Sequence, residues 1–184
     1  MAAMPIVGAN GLDVYYDTFG DEGDPTLLLV VGLGAQCTRY DTELCLGFVD
    51  RGFEVIRFDN RDAGLSTHLA ADATYTLADM AADAIGLLDA LGRDRVHLWG
   101  TSMGGMIAQT IAISHPERVA TLTSVMSNTG EPGYGMPRDD VLEPLLALSS
   151  PVDSDEERLD RAMQLSRLIG SPDHFDEDWH RERN

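Results

Sequence analysis

The 184 residues, 43% hydrophobic and 24% charged, suffice for one domain with a sizeable core. A formal net charge of −18 repels phosphate backbones and anionic lipid, which argues against nucleic-acid and membrane partners. All 13 basic residues are Arg, so lysine-based chemistry is excluded.

Residues 1–10 carry neither the basic patch nor the apolar run of a secretory signal, which predicts a cytoplasmic location. Residues 11–19 alternate apolar and polar, as a half-exposed strand does. A turn over 21–25 leads into residues 26–31, a short continuous apolar run closed by Gly32, which reads as a buried strand. Cys37 and Cys45 have no histidine near them. They read as buried or semi-buried thiols, not as a disulfide or a metal site.

Residues 40–51 are helix-like, 53–58 a strand, and 59–67 a polar loop. Residues 76–91 have helical apolar spacing, with Asp79 in the first turns and Gly92 as C-cap. Residues 95–99 form a strand, Met103–Ser114 a helix stopped at His115-Pro116, and 119–126 a strand. Strands alternating with helices predict an α/β fold, doubly wound around a mainly parallel sheet. The Gly- and Pro-rich stretch 130–137 interrupts that pattern, and two amphipathic helices follow over 141–149 and 153–169. The expected division is therefore 1–130 and 131–184.

The sharpest motif is Gly100-Thr101-Ser102-Met103-Gly104, a G-x-S-x-G between a strand and a helix. A serine on so tight a turn needs small neighbours two residues away on each side, here Gly100 and Gly104. The turn lifts the hydroxyl off the sheet and sets it at a helix N-terminus, where negative charge is favoured. Chance supplies roughly 0.1 matches to the bare pattern per chain of this composition, so the strand–turn–helix context carries the weight. Ser102 is the candidate nucleophile. Gly32-Leu33-Gly34 ends the preceding buried strand, at the same rim of a parallel sheet. An oxyanion hole takes one N–H from the residue after the nucleophile and one from such an earlier loop. That assigns Met103 and Leu33. The charged loop 58–66 reads as a hydrogen-bonded structural turn with Asp and Arg paired.

Four segments carry a family resemblance: Gly32-Leu33-Gly34-Ala35-Gln36, Phe58-Asp59-Asn60-Arg61-Asp62-Ala63-Gly64-Leu65-Ser66-Thr67, Gly100-Thr101-Ser102-Met103-Gly104-Gly105-Met106-Ile107-Ala108, and His115-Pro116-Glu117-Arg118-Val119. Over residues 5–130 the chain resembles the α/β-hydrolase superfamily, and most of all its aclacinomycin methylesterase-like and haloperoxidase-like esterases. It departs from the pattern at Val31-Gly32, where the family has His-Gly. The resemblance implies a carboxylic-ester hydrolase without cofactor or metal, acting on a small or medium ester through an acyl-enzyme at Ser102.

The resemblance also implies an acid and a histidine on strands beyond a helical cap. Residues 131–184 look like the beginning of that cap, so the C-terminal strands are expected to be missing. His68 follows a loop on the nucleophile's side and is the best-placed histidine, but it, His97, His115, His174 and His180 all read as packing or surface residues, and none is assigned as the base. Three expectations follow: weak or absent activity for these 184 residues alone, association between copies through an uncovered sheet edge, and a small-molecule ester as the substrate partner. A non-catalytic binding module, or a cofactor-free haloperoxidase or peptidase of the same fold, are the competing readings.

Overall fold

A computed structural model of the chain describes residues 5–131, 133–147, 150 and 152–183. These residues divide between Tyr134 and Gly135 into two compact units. The first holds a six-stranded sheet in the order β1-β2-β4-β3-β5-β6: β1 Ile6–Ala9, β2 Leu12–Phe19, β3 Thr26–Val30, β4 Glu54–Phe58, β5 Val96–Thr101 and β6 Val119–Val125. Strands β4, β3, β5 and β6 run parallel, while β2 joins β4 antiparallel and β1 folds back on β2.

The apolar run of β3 is buried at every position because helices cover both faces of the sheet. Its side chains alternate between two cores. Leu28 and Val30 join Ile56, Phe58, Val96 and Leu98 in one, beneath α2 Leu77–Ala90 and α3 Met103–Ser114. Leu27, Leu29 and Val31 join Val55, Tyr40 and Cys45 in the other, beneath α1 Thr42–Val49. Side-chain caps open two of these helices. Asp41 accepts the Leu44 N–H at 2.8 Å to open α1, and Thr76 and Asp79 form a capping box on α2.

Three arginines link these elements to carboxylates through paired hydrogen bonds. Arg57 grips Asp17 of β2, Arg61 grips Asp83 of α2, and Arg93 grips Glu54 of β4. Planar guanidinium matches carboxylate in this two-pronged way, and lysine does not. Arg61 was expected to pair inside its own loop. It reaches out to α2 instead, because the loop carboxylate of Asp59 is taken by backbone amides.

Strand β1 was not expected. Its turn residues Asn10 and Gly11 both have positive φ, 50° and 80°, as an Asn-Gly hairpin requires. The other strands match to within two residues. Both cysteines are free and fully buried, as expected, and burial pushes their thiols upward in pKa.

The second unit is helical. It comprises α4 Asp139–Ala147, α5 Asp155–Ile169 and α6 Glu177–Arg183. Ser154 caps α5 through the Glu157 N–H at 3.1 Å, and Arg167 and Glu177 pair at 2.8 Å. Residues 148 and 149, at the end of one expected helix, lie outside the described residues. Among the described residues no strand follows β6, and no helix is long and apolar enough to cross a membrane.

Candidate active site

The carboxyl ends of β3, β4, β5 and β6 share one rim of the sheet. Ser102 stands there, between the last residue of β5 and the first of α3. Its backbone lies at φ 56° and ψ −124°, a region that side chains other than glycine's rarely enter. The surroundings hold it there. The Ser102 N–H donates to the Val125 carbonyl at the end of β6, at 2.8 Å. The Ser102 carbonyl accepts from Gly105 at 2.9 Å and from Met106 at 3.3 Å, which starts the helix.

The flanking glycines have steric reasons. A Cβ on Gly104 would overlap the Val30 carbonyl, and one on Gly100 the Gly104 carbonyl. The turn closes only with hydrogens at both places. Gly105 is also crowded, though less severely, by the side chains of Ser124 and Ser127.

Gly32 approaches the serine directly. A Cβ built on it would lie 3.1 Å from Ser102 Cβ and 3.6 Å from Ser102 Oγ. The loop carrying Leu33 therefore starts against the hydroxyl. Met103 is the first residue of α3, where an N–H has no intrahelical acceptor. The first turn of α3 holds no acidic residue, so the partial positive charge of the helix end is not offset there. Ser102, Gly32, Gly100 and Gly104 thus converge, with Leu33 and Met103 next in chain to residues of that cluster.

Beneath the turn lies Tyr40, whose hydroxyl donates to the Val30 carbonyl at 2.9 Å and sits 2.8 Å from Thr101 Oγ1. Burial pushes its pKa up to about 12, so it stays a neutral phenol. Neither Tyr40 nor the loop residues Asp59 and Asn60 were singled out for this site. Tyr40 sits in no motif, and the spacing between the loop and Gly32 says nothing of their contact.

The three histidines of the first unit have other partners. His68 Nε2 meets the Gly64 carbonyl at 3.1 Å, and His97 Nδ1 meets Thr121 Oγ1 at 2.8 Å with its ring edge-on to Phe53. His115 faces Glu117 at 3.8 Å, and in the other unit His180 stacks on Phe175. Among the described residues of the first unit no histidine is hydrogen-bonded to Ser102, and among all described residues no cluster has a metal-binding arrangement.

Comparison with known proteins places these features in context. A family model described as alpha/beta hydrolase fold matches residues 25–170. Rhodomycin D methylesterase of Streptomyces peucetius is 32% identical over 189 residues, covering 92% of this chain and 63% of that protein. The 2-hydroxy-6-oxononadienedioate/2-hydroxy-6-oxononatrienedioate hydrolase of Paraburkholderia phymatum is 35% identical over 133 residues, covering 71% of this chain and 45% of that protein. The crystal structure of a hydrolase from Pseudomonas aeruginosa superposes with a TM-score of 0.71 at 24% identity, covering 97% of this chain and 65% of that one. The chain spans less than two thirds of the length of each of these.

Proposed function

This chain belongs to the α/β-hydrolase family, and from that premise we propose that it is a serine hydrolase acting on a small or medium carboxylic ester. Ser102 Oγ attacks the acyl carbon to give a tetrahedral intermediate; the C–OR bond then breaks, the alcohol departs with the serine proton, and the acyl-enzyme left behind is cleaved by water. The N–H groups of Leu33 and Met103 stabilise the negative oxygen of the tetrahedral intermediate. No cofactor or metal takes part in this reading.

The observation that carries it is the strained backbone of Ser102 at the strand–helix junction, with Gly32 held against its hydroxyl. Strain of this kind costs about 1–3 kcal/mol and persists only when the surroundings enforce it. The esterase choice rests on the similarity to a methylesterase.

A serine hydroxyl needs a base to be a strong nucleophile. In the first unit His68, His97 and His115 each have another partner, so slow turnover is the expectation for these 184 residues by themselves. The test is release of nitrophenol from 4-nitrophenyl acetate by the chain and by its Ser102→Ala variant. Slow release that disappears in the variant supports the proposal. Release indifferent to the substitution overturns the nucleophile, and a complete lack of it favours a binding module. Fast, Ser102-dependent release would show that a base operates here, and His68 would be the first histidine to replace.

A further inference from the structure

Residues 32–36 carry the Leu33 amide, yet they hold themselves together poorly. The bond that closes their turn, from the Ala35 N–H to the Gly32 carbonyl, is long at 3.4 Å. Gly34 adds a positive φ of 68°. A segment with so little internal bonding takes its shape from whatever grips its ends.

Two consecutive residues just past β4 grip both ends. Asn60 Nδ2 donates to the Val31 carbonyl at 3.2 Å, immediately before Gly32. Asp59 Oδ1 accepts the Cys37 N–H at 2.7 Å, immediately after Gln36. Both side chains sit in the interior, Asp59 at 2% and Asn60 at 4% exposure. Asp59 is itself pinned, because its second carboxylate oxygen accepts the Leu65 N–H at 2.9 Å and its carbonyl accepts from Ser66 Oγ at 2.6 Å. Gly64 leaves the room this carboxylate needs, since any Cβ there would overlap it.

We propose that Asp59 and Asn60 are positioning residues for the oxyanion donor on the Gly32–Leu33 loop, so the loop after β4 sets the aim of an amide on the loop after β3. This rests on the serine-hydrolase reading and extends it to two residues that touch no substrate. Buried amide and carboxylate bonds to backbone do this well, because leaving their partners unpaired costs more than the bonds themselves contribute.

The test is the rate at which an alkyl fluorophosphonate labels Ser102, compared with the rate for its thiophosphonate counterpart. In either case the Oγ–P bond forms, the P–F bond breaks, and fluoride departs while the serine proton goes to solvent. Charge develops on the phosphoryl oxygen in the first probe and on a larger, weaker-accepting sulfur in the second. A well-aimed N–H therefore shows as a preference for the oxygen probe, which a general loss of stability does not alter.

Asn60→Asp keeps the size of the side chain and removes its donor. We expect the oxygen probe to slow at least about tenfold, with the sulfur probe slowing much less, so that the ratio collapses. Asp59→Asn, which surrenders one of the two acceptors, should lower the ratio in the same direction and gives a second reading if the first variant does not fold. A ratio unchanged within about twofold in a folded variant, or both probes slowed equally, overturns the proposal. Ser102→Ala separates the two layers. If it labels as fast as the parent, the nucleophile reading falls and this proposal with it. If labelling needs Ser102 but ignores Asp59 and Asn60, only the loop proposal falls.

Discussion

The Tyr40 hydroxyl lies 2.8 Å from Thr101 Oγ1 and donates to the Val30 carbonyl at 2.9 Å, joining the ends of two neighbouring parallel strands through one buried oxygen. Tyr40→Phe removes that oxygen and leaves a buried carbonyl and a hydroxyl without it. The expected loss is about 1–3 kcal/mol in urea unfolding, since the penalty is the desolvation of the orphaned groups. A variant that unfolds at the parent's midpoint would show that water or a small shift replaces the phenol.

Ser102 occupies dihedrals that suit glycine, so its substitutions should rank by backbone and not by side-chain size. Ser102→Ala keeps the strain and Ser102→Gly relieves it. Glycine also enlarges the unfolded ensemble, which offsets part of the gain. Ser102→Gly is therefore expected to be about 0.5–1 kcal/mol more stable than Ser102→Ala, with both unreactive toward serine probes. Equal melting of the two variants would place the strain elsewhere.

The three site glycines should differ in severity. Gly104→Ala and Gly100→Ala set a methyl group on a backbone carbonyl. Nothing flexible can yield there, and losses above about 3 kcal/mol are expected, enough to abolish cooperative melting. Gly32→Ala meets Ser102 Cβ and the Thr101 carbonyl at 3.1 Å. That crowding needs only a few tenths of an ångström of movement, so about 1–2 kcal/mol is expected. Its larger effect falls on serine labelling, because the new methyl stands 3.6 Å from Oγ. Thermal melts and labelling rates measured on the same samples decide the order.

Acid stability should depend on Glu54. Burial acts to raise its pKa, but hydrogen bonds from Arg93 and Thr26 outweigh that and hold it below the ordinary value of 4.5. A carboxylate whose folded pKa is depressed contributes stability above its unfolded pKa and loses it as pH falls through the folded one. The stabilisation is therefore complete at neutral pH and fades below about pH 4.5. Arg93→Met should lower the melting temperature at pH 7 and much less at pH 3. Parallel pH–melting curves for the two proteins would refute the assignment.

Local periodicity made the parallel strands and the helices of the first unit legible. The buried run before Gly32 and the serine turn needed no tertiary knowledge, because each is a local pattern of size and polarity. Strand β1 escaped for want of length, although Asn10-Gly11 marked its turn. The partners of Arg57, Arg61 and Arg93 lie 40, 22 and 39 residues away in the chain. Nothing in a charge pattern says which of 31 acidic residues each will reach. The same limit hid Asp59, Asn60 and Tyr40. Their sequences suggested a turn and a helix start, while their bonds run to carbonyls and amides across the sheet.

The strand order carries a consequence for how the chain acquires this structure. Strands β2 and β3 follow one another in sequence but do not pair, because β4 lies between them. A growing chain that has completed β3 has no strand for it to pair with, since both its neighbours, β4 and β5, come later. Only when β4 emerges can it join Phe19 to Val55 on one side and Leu28 to Ile56 on the other. Strand β5 then docks on β3 across about 70 residues, pairing Leu28 with Leu98. Loops of that span must close before any contact rewards them, so refolding in milliseconds to seconds is expected rather than microseconds. The first 30 residues would wait as a β1–β2 hairpin, with the apolar strand β3 exposed, until residue 58 is available.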